Sequence, residues 1–374
     1  MSVPQYVAKE ALVRDLRDFI SRDADRTKRF NDAIATAVAG SAGTHDEMAN
    51  EGIKTLDDYL RFCDDLLQWV PKVSSKGDEL LQKILVFYWP QNSNTDLSWL
   101  SYWLVTFAHQ QGLFLSTPQS AASVHSFYRN EKYNQEADLW IEPKSGWVSF
   151  NHWFAREWKD IDSARPLAGP NDDKVVVSVA DSKFNGNWDI VDGNVTISGI
   201  DAKGVEWPIE KLLQTTTINY HNGTFMHAFL GPINYHRQHA PVYPQVATKN
   251  GGHLSGDRRL IQNPHMITRR RERLLSDGHG FYNLDAPDNA GYQWYQTRGL
   301  IVIQTKDYGK VAVLPIGMAQ VSSVVMTVKK GDNISYFLFG GLDVVVVFEK
   351  VTFKSGLKPG ETKLNVRSEL ARFQ

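Results

Sequence analysis

The amino-acid sequence predicts an α+β fold, with a helical N-terminal domain followed by a strand-rich, mainly antiparallel domain. In the first third of the chain, apolar residues recur at the three- and four-residue spacing of amphipathic helices. Beyond about residue 147 they gather instead in short β-branched runs, separated by Asn, Gly and Asp turns. Because few helical stretches separate these runs, we expect the strands to pair antiparallel.

Size and composition restrict the kinds of protein this can be. A chain of 374 residues can bury a full core and predicts two domains. Its 41 basic and 42 acidic residues are balanced, which argues against nucleic acid or an anionic membrane as a partner. A single cysteine, Cys63, excludes an internal disulfide framework. With no signal sequence and no apolar stretch of roughly 18 residues, we expect a cytoplasmic, soluble protein, either a monomer or a homodimer.

The N-terminal domain is predicted to cover residues 1–115. Helical periodicity is found in four stretches, which are 8–37, 56–70, 77–89 and 96–114. Pro71 and Pro90 end the second and third of these, because proline lacks the N–H that a helix interior needs. Residues 116–146 are mixed and rich in turns, and we interpret them as a connector.

The second domain is predicted to cover residues 147–374. Apolar β-branched runs mark its strands at 175–180, 188–191, 195–197, 300–304, 311–316, 321–328 and 337–348. The last run contains a Gly340-Gly341 pair, which permits a sharp bend, and four consecutive valines, which predict a strand buried on both faces. The long polar segment 248–290 has little periodicity and is predicted to be a mobile insert.

Three groups of residues in this domain could carry chemistry. Asp181 follows an apolar run, where a side chain is presented at a sheet edge, although such a residue is also common in turns. His236 and His239 form a His-x-x-His pair that could act as general acid or base near neutral pH. The pair could also bind a metal, but no thiolate and no obvious third ligand accompanies it, so we predict no metal site. The third group is Gly340 to Asp343.

Six short motifs in these regions occur in a fixed order. They are Phe150-Asn151-x-x-Phe154-x-Arg156, Ala164-Arg165-Pro166, Ala180-Asp181-Ser182, Tyr235-His236-Arg237-x-His239-x-Pro241, Gly317–Ser323 and Phe339-Gly340-Gly341. In this order they make residues 147–350 resemble the phosphatidylserine decarboxylase family. The helical N-terminal domain is similar to the soluble fungal branch of that family, which includes the tryptophan decarboxylase of psilocybin-producing mushrooms.

The resemblance implies a mechanism. Members of the family are proenzymes that cut their own backbone at a serine, which becomes a pyruvoyl group. This group forms a Schiff base with the substrate amine and accepts electrons as CO₂ leaves. An Asp–His pair activates the serine, and on this sequence those roles fall to Asp181 and His239. His236 would manage protons during decarboxylation.

The remaining site residues also follow from the resemblance. The self-cleavage site would be Gly340, Gly341, Leu342 and Asp343, with the glycine pair exposing the scissile carbonyl. We expect both histidines to lie within a few ångströms of Leu342 and to face a pocket. A substrate-binding role is implied for His227, Tyr235 and Phe339.

The sequence departs from the family at one decisive position. Leu342 stands where the serine should be, and a leucine has no hydroxyl to attack the backbone or to be eliminated. Asp343 cannot replace it, because a carboxylate cannot leave a pyruvoyl group. We therefore expect an uncleaved chain without the pyruvoyl cofactor.

Three hypotheses follow from this departure. In the first, the pocket serves another reaction on a small molecule, such as an aromatic amine or a secondary metabolite, with Asp181, His236 and His239 as acid and base. In the second, the leucine is engineered or a rare variant, and the parent protein is a pyruvoyl-dependent aromatic L-amino-acid decarboxylase. In the third, the protein is a non-catalytic relative that binds a ligand or pairs with an active subunit.

Overall fold

The computed structural model describes residues 3–39, 45–73, 83, 86–87, 97–197, 205–214, 220–243, 259–261, 275–276, 282–283, 297–317, 331–339 and 341–374. Contacts divide the chain into two compact units. The first contains the described residues up to Asn134, together with Trp147–Phe150 and two very short strands. The second contains Gln135–Gly146 and the described residues of Asn151–Gln262 and Asp288–Gln374.

The first unit is built from helices. They are α1 Ala11–Ser21, α2 Ala24–Val38, α3 His45–Asn50, α4 Leu56–Leu67, α5 Leu97–Phe114, a 3-10 turn Pro118–Ser123, α6 Val124–Tyr128 and α7 Glu131–Asn134. The short strands β8 Leu275–Ser276 and β9 Tyr282–Asn283 pair with each other. Cys63 is buried in α4, and desolvation raises the pKa of its thiol, so this thiol is an unreactive core group.

Capping explains where these helices differ from the predicted ones. The stretch 8–37 forms two helices, because the Asp23 side chain accepts a hydrogen bond from the Arg26 backbone N–H and starts α2 afresh. A capping box between Thr55 and Asp58 starts α4. The helix predicted over 77–89 lies outside the described residues, apart from three helical positions there.

The second unit contains most of the strands. They are β1 Val175–Val177, β2 Ser182–Val191, β3 Asn194–Ile197, β4 Val205–Pro208, β5 Thr224–Phe229, β6 Arg237–His239, β7 Arg259–Ile261, β10 Thr297–Gln304, β11 Lys310–Gly317, β12 Asn333–Tyr336, β13 Gly341–Phe348, β14 Val351–Phe353, β15 Lys363–Leu364 and β16 Glu369–Phe373. Its helical elements are a 3-10 turn Ala137–Leu139, α8 Phe150–Phe154 (whose first residue belongs to the first unit), α9 Ile161–Ala164 and α10 Ile209–Leu213.

A nine-stranded sheet organises this unit. Its strands run in the order β4-β3-β2-β5-β13-β11-β10-β7, with β15 added against β2. A second sheet has the order β1-β16-β14, and β6 pairs with β12. Every pairing between the described strands is antiparallel, which confirms the predicted α+β class.

The four valines of β13 lie at the centre of this sheet. Val344 to Val347 are fully buried between β5 and β11, as a run of β-branched residues predicts. Two of them, Val345 and Val347, belong to one apolar cluster, with side chains from β3, β4, β5, β10, β11 and α10. This core fixes the end of β13 at which the Gly-Gly pair lies.

Two predicted strands differ from the observed ones. The run 337–348 is not continuous, because β12 ends at Tyr336 and β13 begins at Gly341. The apolar strand before Asp181 ends at Val177, so Asp181 directly precedes β2 instead of closing β1. The run 321–328 and nearly all of the insert 248–290 lie outside the described residues. None of the described helices is long and apolar enough to span a bilayer.

Candidate functional site

His236 is a polar side chain completely enclosed by the protein. Its residue is 0% exposed, and within the described part of the chain neither ring nitrogen makes a hydrogen bond of standard geometry, although the backbone groups of Gly231 and Phe154 are near enough to oppose the lowering of its pKa. The imidazole stacks on Phe154, with 3.8 Å between the ring centroids, and Phe154 meets Phe339 edge-on at 5.9 Å. Burial lowers the pKa of His236 well below its ordinary value, with a smaller contribution from Arg156. The ring is therefore neutral at pH 7 and can accept a proton at one nitrogen and donate one from the other.

His239 is held in one tautomer by its neighbours. Its Nδ1 lies 2.7 Å from the backbone oxygen of Gly331, which can only accept, so Nδ1 carries the proton. Nε2 is then an acceptor, and the Tyr235 hydroxyl donates to it at 3.2 Å. Burial lowers the pKa of His239 to about 4, and burial also raises the pKa of the Tyr235 phenol. Both groups are neutral at pH 7, and the basic nitrogen of His239 faces a phenol.

Asp181 is bound to an arginine. Its carboxylate accepts hydrogen bonds from Nε and Nη2 of Arg165, the shortest being 2.6 Å, and from the backbone N–H of Val366 at 2.7 Å. Arg165 also pairs with the half-exposed Glu136. Burial raises the pKa of the Asp181 carboxyl, and the hydrogen bonds from Arg165 oppose this rise. Asp181 and His239 share no direct hydrogen bond, since the described partners of the His239 ring are Tyr235 and Gly331, and their role as an activating pair stays a prediction.

The four-residue segment 178–181 nevertheless connects these groups. The backbone oxygen of Val179 accepts from the N–H of His239 at 2.7 Å. One residue earlier, the oxygen of Ser178 accepts from the N–H of Arg367 at 2.8 Å. Asp181 thus lies between the strand that carries His239 and the C-terminal segment around Val366. Burial is the main cause of the raised pKa of Tyr235, and the Asp181 charge contributes to it.

The predicted cleavage position lies at the start of β13. Leu342 is the second residue of that strand, but its side chain and Gly340 are outside the described residues, so its predicted proximity to the histidines stays a prediction. The backbone N–H of Phe339 donates to the Asn151 side chain at 3.0 Å, which fixes the chain just before the turn. Because Phe154 contacts both His236 and Phe339, the described residues place His236 beside the segment that leads to Leu342.

Asp343 and His227 form a second buried pair. His227 Nε2 lies 3.0 Å from an Asp343 carboxylate oxygen, and both side chains are inaccessible to solvent. They meet because Asp343 and Val345 pair with Phe229 and His227 across β5 and β13, which puts all four side chains on one face of the sheet. His227 therefore lies in the sheet interior, in contact with Asp343.

Three residues were missing from the predicted site. Arg165 donates hydrogen bonds to Asp181, and Phe154 stacks on His236. Asn151 accepts a hydrogen bond from the backbone of Phe339. All three belong to the Phe-Asn-x-x-Phe-x-Arg and Ala-Arg-Pro motifs. The motifs therefore pointed to these residues, but the sequence analysis assigned them no role. Within the described ranges, no three His, Cys, Asp or Glu side chains are grouped to hold a metal ion.

Comparisons with known proteins match the same region. The family model for phosphatidylserine decarboxylase matches residues 150–372, which is more than half of the chain. A phosphatidylserine decarboxylase proenzyme of Fusobacterium nucleatum is 27% identical over 247 residues, covering 64% of this chain and 72% of that protein. Proenzyme 3 of Schizosaccharomyces pombe is 29% identical over 251 residues, covering 64% of this chain and 22% of its own length. Proenzyme 2 of Oryza sativa is 27% identical over 261 residues, covering 66% of this chain and 36% of that protein.

The match therefore spans most of one curated relative but only about a fifth to a third of the other two. It includes every motif that positions His236, His239 and Asp181, and it ends just short of the C-terminus. On this match, the chain belongs to the phosphatidylserine decarboxylase family.

Proposed function

We propose that this chain is an uncleaved member of the family, whose buried histidines perform acid–base chemistry on a small molecule without a pyruvoyl group. The absence of a pyruvoyl group follows from Leu342, because this residue has no hydroxyl at the position where the pyruvoyl precursor would form. The proposed acid–base chemistry depends on His236. A secondary metabolite or an aromatic amine is the proposed substrate class.

The buried His236 ring, whose nitrogens make no hydrogen bond of standard geometry to the described residues, carries the proposal. Leaving a buried hydrogen-bonding group unsatisfied costs about 1–3 kcal/mol, and a purely structural position could be filled by an apolar ring instead. A ligand atom within hydrogen-bond reach of either nitrogen would remove that cost. The aromatic faces of Phe154 and Phe339 beside the imidazole suit a flat or apolar substrate.

In this proposal the two histidines have different tasks, and their contacts support the division. His236 offers both nitrogens and can transfer a proton directly. His239 can transfer a proton only through the Tyr235 hydroxyl, because Tyr235 occupies its basic nitrogen and Gly331 its other one. Asp181 orients Arg165 and the Val366 backbone and is not placed to orient His239.

Mass spectrometry tests whether the chain stays uncleaved. The purified chain should give one species near 42.3 kDa, whereas two fragments would refute the proposal. Leu342→Ser should restore cleavage between positions 341 and 342 if the family machinery is intact, and Leu342→Ala should not, because it also lacks a hydroxyl. Adding His239→Ala to Leu342→Ser should abolish that cleavage, while His236→Ala in the same background should leave it unchanged.

A turnover assay tests whether the chain performs acid–base chemistry on a small molecule. The wild-type chain would be incubated with a panel of aromatic amino acids and amines, and products would be followed by liquid chromatography and mass spectrometry. A product that is lost in His236→Ala, with an unchanged unfolding temperature, supports the proposal. Binding of panel members without any turnover would refute it in favour of a ligand-binding relative. Carbon dioxide release by Leu342→Ser, with none by the wild type, would instead identify the parent as a pyruvoyl-dependent decarboxylase.

A further inference from the structure

Arg367 combines two features that are costly for a folded chain. Its side chain is only 7% exposed, yet Nε and Nη1 have no hydrogen-bond partner in the described part of the chain. Its backbone has φ +70°, a left-handed conformation that residues other than glycine seldom adopt. Strained backbone and unsatisfied buried donors tend to persist where a ligand or a reaction uses them.

The polar contacts of Arg367 leave its charge without a buried counter-ion. Nη2 donates to an Asp162 carboxylate oxygen at 2.6 Å, but the Asp162 side chain is 78% exposed. Asp160 is also near enough for Arg367 to contribute to lowering its pKa, and it too is at the surface. Water and salt screen both carboxylates, so they compensate the guanidinium only weakly.

One of the two donors that lack a partner in the described part of the chain, Arg367 Nε, lies next to the site described above. A Cβ built on Gly331 would be 3.1 Å from Arg367 Nε, so this nitrogen packs against the residue whose carbonyl oxygen fixes the His239 tautomer. The Arg367 backbone N–H donates to Ser178, one residue before the carbonyl that holds the His239 backbone. Arg367 also contributes to lowering the pKa of His239, as a nearby cation does.

From the buried free donors beside His239, we infer that Arg367 binds the carboxylate group of a small ligand. A carboxylate accepts charge-assisted hydrogen bonds from a guanidinium and supplies the buried negative charge that this position lacks. Its arrival would also favour protonation of His239, because an anion nearby stabilises the imidazolium form. The site holds whether or not the chain catalyses a reaction, since it depends only on Arg367 and its surroundings.

Thermal unfolding with small anions tests the inference. At constant ionic strength, sodium acetate replacing sodium chloride should raise the unfolding temperature of the intact chain in a saturable way, since a ligand that binds only the folded state stabilises it. Acetamide, which has the same shape without the charge, should have no effect. Arg367→Gln should weaken acetate binding at least about tenfold, the factor expected for one lost charge-assisted hydrogen bond. Arg372→Gln, at a half-exposed arginine of the same C-terminal segment, should not.

A second variant separates ligand binding from a structural role. Arg367→Gly removes the strain and the free donors, so it should unfold at the same or a higher temperature than the wild type while losing the acetate response. A lower unfolding temperature of Arg367→Gly would overturn the inference, because it would show that the arginine serves the fold. Absence of a saturable acetate effect up to about 100 mM, the weak end of specific small-ligand affinity, would also overturn it. So would an equal effect in Arg367→Gln, or binding of phosphate in place of acetate.

Discussion

Acid should destabilise this protein through His239. Burial lowers the pKa of His239 to about 4 in the folded state, whereas an unfolded histidine titrates near 6.5. Between these values the unfolded chain binds a proton that the folded chain does not, so stability is complete above about pH 6.5 and falls as the pH approaches about 4. This difference corresponds to about 3 kcal/mol from His239 alone. His236 adds to the loss in the same direction, because burial also lowers its pKa.

Urea unfolding at a series of pH values between about 4.5 and 7.5 measures this loss. His239→Gln has no titrating ring, so its free energy of unfolding should fall less steeply with decreasing pH than that of the wild type. His125→Gln, at an exposed histidine of α6, should keep the wild-type slope. Equal slopes for His239→Gln and the wild type would refute the burial argument, and with it the neutral His239 of the proposed site.

Two further substitutions test the packing around the site. Gly331→Ala should lower the free energy of unfolding by about 2–4 kcal/mol, because Gly331 has φ +78° and a Cβ there would meet side-chain atoms at 3.0 and 3.1 Å. Gly356→Ala is its control, with φ +86° but open space, and should cost only about 1 kcal/mol; equal costs would mean that the close approach is unimportant. Asp181→Asn should cost about 3–5 kcal/mol, because it removes the buried counter-ion of Arg165 and leaves it only the half-exposed Glu136. Asp162→Asn, at an exposed carboxylate, should change the free energy of unfolding by less than about 1 kcal/mol, and a similar loss in both variants would contradict this reading.

The sequence predicted the fold class well because hydrophobic periodicity reports which faces are buried. The four valines of β13 are buried on both faces as predicted, and the helical and strand-rich parts are distinguished correctly. Boundaries were less accurate where a local cap decides them, as at Asp23, or where backbone pairing with a neighbouring strand stops, as at Tyr336. These depend on individual hydrogen bonds that periodicity does not encode.

The site was predicted only in part, for a different physical reason. Motif order pointed to Asp181, His236 and His239, but not to the partners that each one has in space. Arg165 donates hydrogen bonds to Asp181, and the Tyr235 phenol donates one to His239. Both contacts depend on the tertiary arrangement of side chains. Arg367 could not be found at all, because nothing in the sequence indicates a left-handed backbone at an arginine.

The position of β13 has a consequence for how the family chemistry could be lost. This strand is hydrogen-bonded on both sides, to β5 and to β11, and the chain after it adds β14, β15 and β16 to the sheets. A break between positions 341 and 342 would therefore leave the downstream piece joined to the rest by several backbone ladders. In the proposed function, a leucine at position 342 would end the covalent chemistry while these backbone ladders keep the two sides of the site together.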